Sequence, residues 1–367
     1  MPLTVKSLNG DTTFLLTFSP PSAPATSPGL FPGSFTILID PWLTGASSIL
    51  HPKFQEAKHR KQPCIASLAE LPEPDLVIVS QNKPDHCHEE TLRQLPANCA
   101  STILAAPAAA KKIRGWNHFD PEAVIALQKF DEKRESRVFR LSVPSPSPSG
   151  SPGEVTIALL PPPKHDIARV HNAIGITYRP PFTVLSASTG KYIDLPATPP
   201  ASPLSPISIK SATPKTLAAS PYNDRERTLS VIYSPHGMPY SIIKPYASSH
   251  LVEEAALPLT CLFHSFDRVH NPWFLGGTVV NGMPGGLEIA RNLLARVWVG
   301  AHDEQKELHG VATSRIKTQN FGINEINELL REPGQGAGPK VWSNAFAVSL
   351  EAGEEIRIGV SEDIRLI

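Results

Sequence analysis

Ser80-Gln81-Asn82-Lys83-Pro84-Asp85-His86-Cys87-His88 follows the apolar run Leu76-Val77-Ile78-Val79 and precedes a segment that reads as a helix from about Glu89. A loop at a strand end is where a rigid scaffold displays ligands. Asp85 and His86 set one hard oxygen donor beside one imidazole, a pair suited to zinc, iron or manganese. A plainer reading of the same pair has Asp85 capping the following helix and His86 on the surface.

Working outward, Ile37-Leu38-Ile39-Asp40-Pro41-Trp42 reads as an upstream strand ending in an aspartate, and Val299-Gly300-Ala301-His302 as a downstream strand ending in a histidine. The second follows a helical pattern running from Gly285 to Leu294. In this order, from about Phe35 to about Asp303, the segments resemble the metallo-β-lactamase-fold superfamily. The loop is similar to a degenerate form of that family's His-x-His-x-Asp-His motif, and the nearest branch is that of small-molecule hydrolases such as ascorbate-6-phosphate lactonase and phospholipase D-like members. The fold implied is α/β, a four-layer αββα sandwich with two mixed β-sheets and the site at one rim.

The departures from the family pattern matter equally. Gln81 and Lys83 stand where the first two histidines are expected. A glutamine amide is a weak neutral ligand, and a protonated lysine has no lone pair. A cation some 4 Å from another costs on the order of 4 kcal/mol at an effective dielectric of 20. The resemblance therefore implies that one of two metal positions is lost. Ile232-Tyr233-Ser234-Pro235-His236-Gly237 falls where the family has a strand ending in Gly-Asp, so His236 replaces the bridging carboxylate. Asp194 is a second candidate for that role.

Asp85, His86, His236 and His302 are thus expected to form one mononuclear site, with zinc the first candidate ion and iron or manganese the others. The third histidine of the lost position is His165 or His171, either of which is free for general-base or hydrogen-bonding work. Lys83, Asp85 and His165 are the expected catalytic groups. Lys83 either supplies charge to a substrate anion or developing oxyanion, or forms a salt bridge to Asp40 or Asp85. The activity implied is metal-dependent hydrolysis of an ester, lactone or phosphate-containing small molecule. The alternative is a catalytically inactive member of the fold that binds a small molecule or a protein through the same cleft.

Composition is compatible with this reading. The 367 residues are 41% hydrophobic, enough for a large core, and 34 basic residues balance 34 acidic ones. No net field draws the chain to nucleic acid or an anionic bilayer. No apolar run approaches the ~20 residues needed to span a membrane, the start lacks a leader pattern, and four cysteines without paired spacing suit a reducing compartment. These features lead to the expectation of a cytoplasmic protein with a small-molecule partner. Many of the 39 prolines fall at 19–34, 144–153 and 196–206, read as insertions in a single domain covering 1–367.

Elsewhere, strands are expected from Ser136 to Val143, Glu154 to Leu160, Ala173 to Tyr178, Phe182 to Ser186 and Leu229 to Tyr233. Helices are expected near Pro121 to Lys129, Ile242 to Ala256 and Ile323 to Arg331, with a strand pair across Ala352-Gly353. His88, His264, His270 and His309 read as structural. Phe263 to Arg268, with Trp273 and Phe274, line a pocket or pack the core.

Overall fold

The computed structural model describes residues 2–19, 33–134, 137–160, 162, 166, 170–181, 183–185, 192–194, 228–272, 277–332, 345–359 and 364–366. The chain opens with a hairpin, Leu3–Ser7 against Phe14–Phe18. Its turn is closed by the Asn9 side chain, whose Oδ1 accepts from the Asp11 and Thr13 amides while Gly10 takes φ +73°. Phe35–Ile39 pairs antiparallel with this hairpin, and Leu76–Val79, Thr102–Ala105 and Val124–Ala126 follow in parallel. Glu355–Ile358 and Ile364–Leu366 complete this sheet on the other side of the hairpin.

The second sheet runs Phe346–Val348, Val297–Gly300, Cys261–His264, Leu229–Ser234, Ala173–Arg179, Gly153–Leu160 and Phe139–Val143. Its first four strands are mutually parallel and the rest antiparallel, so both large sheets are mixed.

Leu76-Val77-Ile78-Val79 shows how the layers form. Successive side chains point to opposite faces of a strand. Leu76 and Ile78 join a core shared with Val155, Ile157, Val231, Phe263 and Val299 of the second sheet, so the two sheets pack face to face. Val77 and Val79 point the other way, against helices α1 (Glu89–Leu92) and α2 (Pro107–Gly115). On the far side of the second sheet, Ile232, Leu262 and Trp298 meet α3 (Tyr240–Tyr246), α4 (Met283–Asn292) and α5 (Ile323–Arg331). Apolar contacts thus stack helices, sheet, sheet and helices. No helix among the described residues is long and apolar enough to cross a membrane.

Two local expectations are corrected. The region from Pro121 to Lys129 is not helical: Val124–Ala126 is a strand, its β-branched residues hydrogen-bonded beside Thr102–Ala105. The helix in this region is α2, with Pro107 at its first turn, where a missing N–H costs nothing. The strands flanking Ala352-Gly353 do not pair with each other, since Phe346–Val348 joins the second sheet and Glu355–Ile358 the first. The turn between them, with Gly353 at φ +94°, is where the chain crosses from one sheet to the other. Of the proline-rich stretches, 144–152 forms an exposed hairpin loop, while 20–32 and 196–206 lie outside the described residues.

Candidate metal centre and cavity

Four segments deliver the candidate site, and each follows the carboxyl end of a strand in a parallel pair: Asp40 after Phe35–Ile39, Ser80 to His86 after Leu76–Val79, His236 after Leu229–Ser234 and His302 after Val297–Gly300. Ligands gather at the carboxyl ends of such strands. Here the ends of both sheets meet at one rim.

Asp85, His86, His236 and His302 converge there, their ligand atoms all within 4.8 Å of one another. His86 Nε2 lies 3.0 Å from His236 Nε2 and 3.7 Å from Asp85 Oδ2, and His302 Nε2 lies 3.2 Å from the same Asp85 oxygen. Donors 2.0–2.1 Å from a tetrahedral zinc ion sit roughly 3.3 Å apart, so these separations suit such an ion. His302 reaches the cluster from a left-handed backbone, φ +69°, with its amide donating to the Asp11 carbonyl. Strain of this kind persists where surrounding structure imposes it.

The tautomers support the fit. His86 Nδ1–H donates to Asp40 Oδ2 at 2.7 Å, and His236 Nδ1–H donates to the Val279 carbonyl at 2.8 Å. Both proton-bearing nitrogens are then spent on acceptors, and two Nε2 lone pairs face each other at 3.0 Å. Such a contact is repulsive unless a cation or a shared proton sits between them. Burial depresses the His86 pKa, but the charges of Asp85 and Asp40 outweigh it and raise it above the ordinary value. His236 is driven the other way, well below an ordinary histidine, by burial and by His302 and His86. Burial opposes ionisation of Asp85, yet the charge of His86 and the hydrogen bond from His302 hold its pKa well below the carboxylate range. The donor set is thus a carboxylate with three imidazoles, two of them oriented by acceptors behind them, as metal-binding histidines are.

Asp40 is the residue that sequence reading undervalued. Its buried carboxylate accepts from the Ser80 amide at 2.7 Å, the Ser80 hydroxyl at 2.5 Å, Tyr233 OH at 2.9 Å and His86 Nδ1. Its place at the end of an apolar strand was the available signal. Asp11, Lys306, His59 and Glu304 gave none. Lys306 Nζ sits 2.7 Å from Asp11 Oδ2 and His59 Nδ1 2.5 Å from Glu304 Oε2, with all four side chains buried.

The remaining candidates divide. Lys83 is half-buried, lines the cavity and forms no ion pair with Asp40 or Asp85 among the described residues. Both amide atoms of Gln81 are buried without a hydrogen-bond partner among the described residues. His171 directs Nδ1 at Asp166, 3.2 Å away. His165 lies outside the described residues, as do Trp273 and Phe274, and nothing is described of the Asp194 side chain. His88 caps α1 through Nδ1, His270 pairs with the Thr278 hydroxyl, and His264 is buried with its pKa depressed to about 4. Phe263 and Phe266 are core residues, whereas Asp267 lines the cavity.

Asp85, His236 and His302 line a cavity of about 460 Å³. Its walls come largely from two small sheets added at the rim, Ser47–Ile49 with Gln55–Lys58 and Glu307–His309, and Arg268–His270 with Thr278–Val280 and Lys317–Gln319.

Residues 36–163 match the family described as the beta-lactamase superfamily domain. This match spans the Asp40 strand and the Ser80 to His88 loop. Among solved structures, the chain is similar to Igni18, a metallo hydrolase from the hyperthermophilic archaeon Ignicoccus hospitalis (12% identity over 98% of this chain and 99% of that one, TM-score 0.43). It is also similar to the metallo-β-lactamase fold protein YhfI from Bacillus subtilis (12% identity, 96% and 98%, TM-score 0.41) and to CmlA β-hydroxylase (14% identity, 82% and 46%, TM-score 0.42). Comparison with curated proteins gives no match.

Proposed function

We propose that the protein is a metal-dependent hydrolase with one metal ion held by Asp85, His86, His236 and His302, acting on an ester, lactone or phosphate-containing small molecule. The facing Nε2 lone pairs of His86 and His236, with Asp85 and His302 beside them, carry this reading. Three nitrogens and one oxygen favour zinc, with iron or manganese as alternatives. Such an ion supplies Lewis-acid polarisation and acidifies water.

The chain's own residues supply the rest. Asp40 and the Val279 carbonyl hold two imidazoles in the tautomer that turns Nε2 toward the cluster. Asp85 stays ionised, and the His302 Nε2 that donates to it would give up that proton to hold the ion. Lys83 lines the cavity without an ion pair to Asp40 or Asp85 among the described residues, which supports a role in meeting negative charge on a substrate or developing in the transition state. The second reading, a catalytically inactive binding module, draws on Gln81, which offers a weak amide where the resemblance implies a histidine ligand.

Elemental analysis of the purified protein, never exposed to chelator, tests the choice beside an Asp85→Ala/His302→Ala variant and a Lys83→Met variant. The expected result is about one zinc, iron or manganese per chain, lost in the double variant, kept in Lys83→Met, with ester or phosphodiester turnover lost in both. Metal well below one per chain that added zinc or manganese does not restore sinks the hydrolase and leaves a proton between His86 and His236.

A further inference from the structure

We propose that the site is built for an amphiphile, a molecule whose ester, lactone or phosphoester group sits at the His-Asp cluster and whose aliphatic chain lies along the cavity wall. The reacting-group half rests on the hydrolase reading, whereas the chain-binding half stands on the cavity alone.

A cavity of about 460 Å³ lies in the range that holds a drug-sized ligand. Its wall carries Ile49, Phe54, Val269, Val280, Leu308 and Ile316. Polar residues also reach the cavity, but most are engaged with the protein itself. Lys306 faces Asp11, Glu304 faces His59, Asn320 donates to Asp267, and Asp303 accepts from the Phe266 and Asp267 amides. A sugar or nucleotide would need hydrogen-bonding groups that these residues have already committed, since a buried polar group without a partner is costly. An aliphatic chain needs none, and it releases water from an apolar wall.

Exposed apolar residues lie on and beside the segments that form the wall. Leu308 lines the cavity and is 43% exposed, Val311 is 73% exposed and Leu50, beside Ile49, is 88% exposed. The Val311 amide donates to the Lys53 carbonyl, which brings the segments carrying Leu50 and Val311 together. Lys83, Asp85 and His302 line the same cavity, so charged groups and an apolar wall face one space.

Calorimetric titration with decanoate and with acetate reads the chain-binding half directly, and hydrolysis of p-nitrophenyl acetate, butyrate and octanoate reads both halves. Decanoate is expected to bind where acetate does not, and kcat/KM to rise by about fourfold for each buried methylene until the cavity is filled. A Leu308→Asn/Ile316→Asn variant, altered at partly exposed positions, should lose at least tenfold in both readouts with its melting temperature and metal content unchanged. Decanoate binding without turnover of any ester would sink the hydrolase and leave the amphiphile cavity standing. Ester turnover that ignores chain length, with decanoate binding no better than acetate, would overturn the amphiphile and leave the hydrolase. Failure to bind decanoate in a folded, metal-loaded protein also overturns it.

Discussion

Asp40 adopts a left-handed backbone, φ +44°, at the end of its strand, and the bend turns one carboxylate toward four donors. A non-glycine residue pays steric strain for this conformation. The return is a fixed His86: with Nδ1–H held by Asp40, only Nε2 is left to face the cluster. Asp40→Asn puts an amide with two donors of its own among groups that already donate, and His86 is freed to carry its proton on Nε2. Under the proposed function, metal affinity is expected to fall by about 10–100-fold, the usual loss when the group orienting a metal-binding histidine is removed. Competition with a chromophoric chelator measures it, and an affinity equal to that of the parent protein would make Asp40 a purely structural hub. The legible part at this scale was the grouping of Asp85, His86, His236 and His302, since each comes after an apolar strand-like run. The hydrogen bonds behind them join residues far apart in sequence, such as Asp40 and Tyr233, and had no local signal.

Elements were read well where periodicity was long and poorly where it was short. Ile323–Arg331 emerges as the helix its spacing predicts, and Leu76–Val79 as a strand buried on both faces. Val124-Ile125-Ala126 is too short for its own pattern to decide, and pairing with a neighbouring strand decided it. Helix α4 shows how closely an element can depend on its partner. Gly286 packs onto the ring of Trp298 in the adjoining strand, and a methyl group added there would land on the ring atoms. Gly286→Ala gains helix propensity but forces α4 off the sheet, so a net loss of about 1–3 kcal/mol is expected from overpacking. Urea denaturation checks this, and a midpoint at or above the parent value would show that the helix can shift at no cost.

At the scale of the whole molecule, the site depends on ties between distant parts of the chain. Asp11, in the first hairpin, and Lys306, beyond the last strand of the His302 motif, form a buried pair beside the cluster. Burial opposes both charges, yet each holds the other ionised: Lys306, His302 and His59 lower the Asp11 pKa, and Asp11 raises that of Lys306. Asp11, with its folded pKa depressed, stabilises the fold above its unfolded value and loses that contribution as pH falls through the folded one. Lys306, with its folded pKa raised, contributes below its unfolded value and loses the contribution as pH rises through the folded one. The pair is therefore complete between about pH 4 and about pH 10. Lys306→Met leaves Asp11 buried without its cation and should cost about 3–5 kcal/mol at neutral pH. Denaturation measured across pH should show this gap narrowing toward both ends of that window, and a gap that stays constant with pH would mean the loss is one of packing rather than charge.

Local sequence determined the parts that local physics controls. Apolar runs specified strands, and the residues closing them specified the donors, because the end of a strand displays the next side chains of the loop wherever the strand is placed. Only the tertiary structure decided which groups those donors face. The two sheets had to pack through Leu76, Ile78, Val231 and Val299 before His236 and His302 could meet Asp85 and His86. The cavity walls were further from reach, because Ile49, Phe54, Leu308 and Ile316 lie on short, partly exposed segments whose composition carries no period. Their role comes from sheets that join residues some 250 positions apart, such as Ala57 and Leu308. Long-range pairing of this kind is a property of the closed structure, where burial compensates the entropy of bringing such segments together.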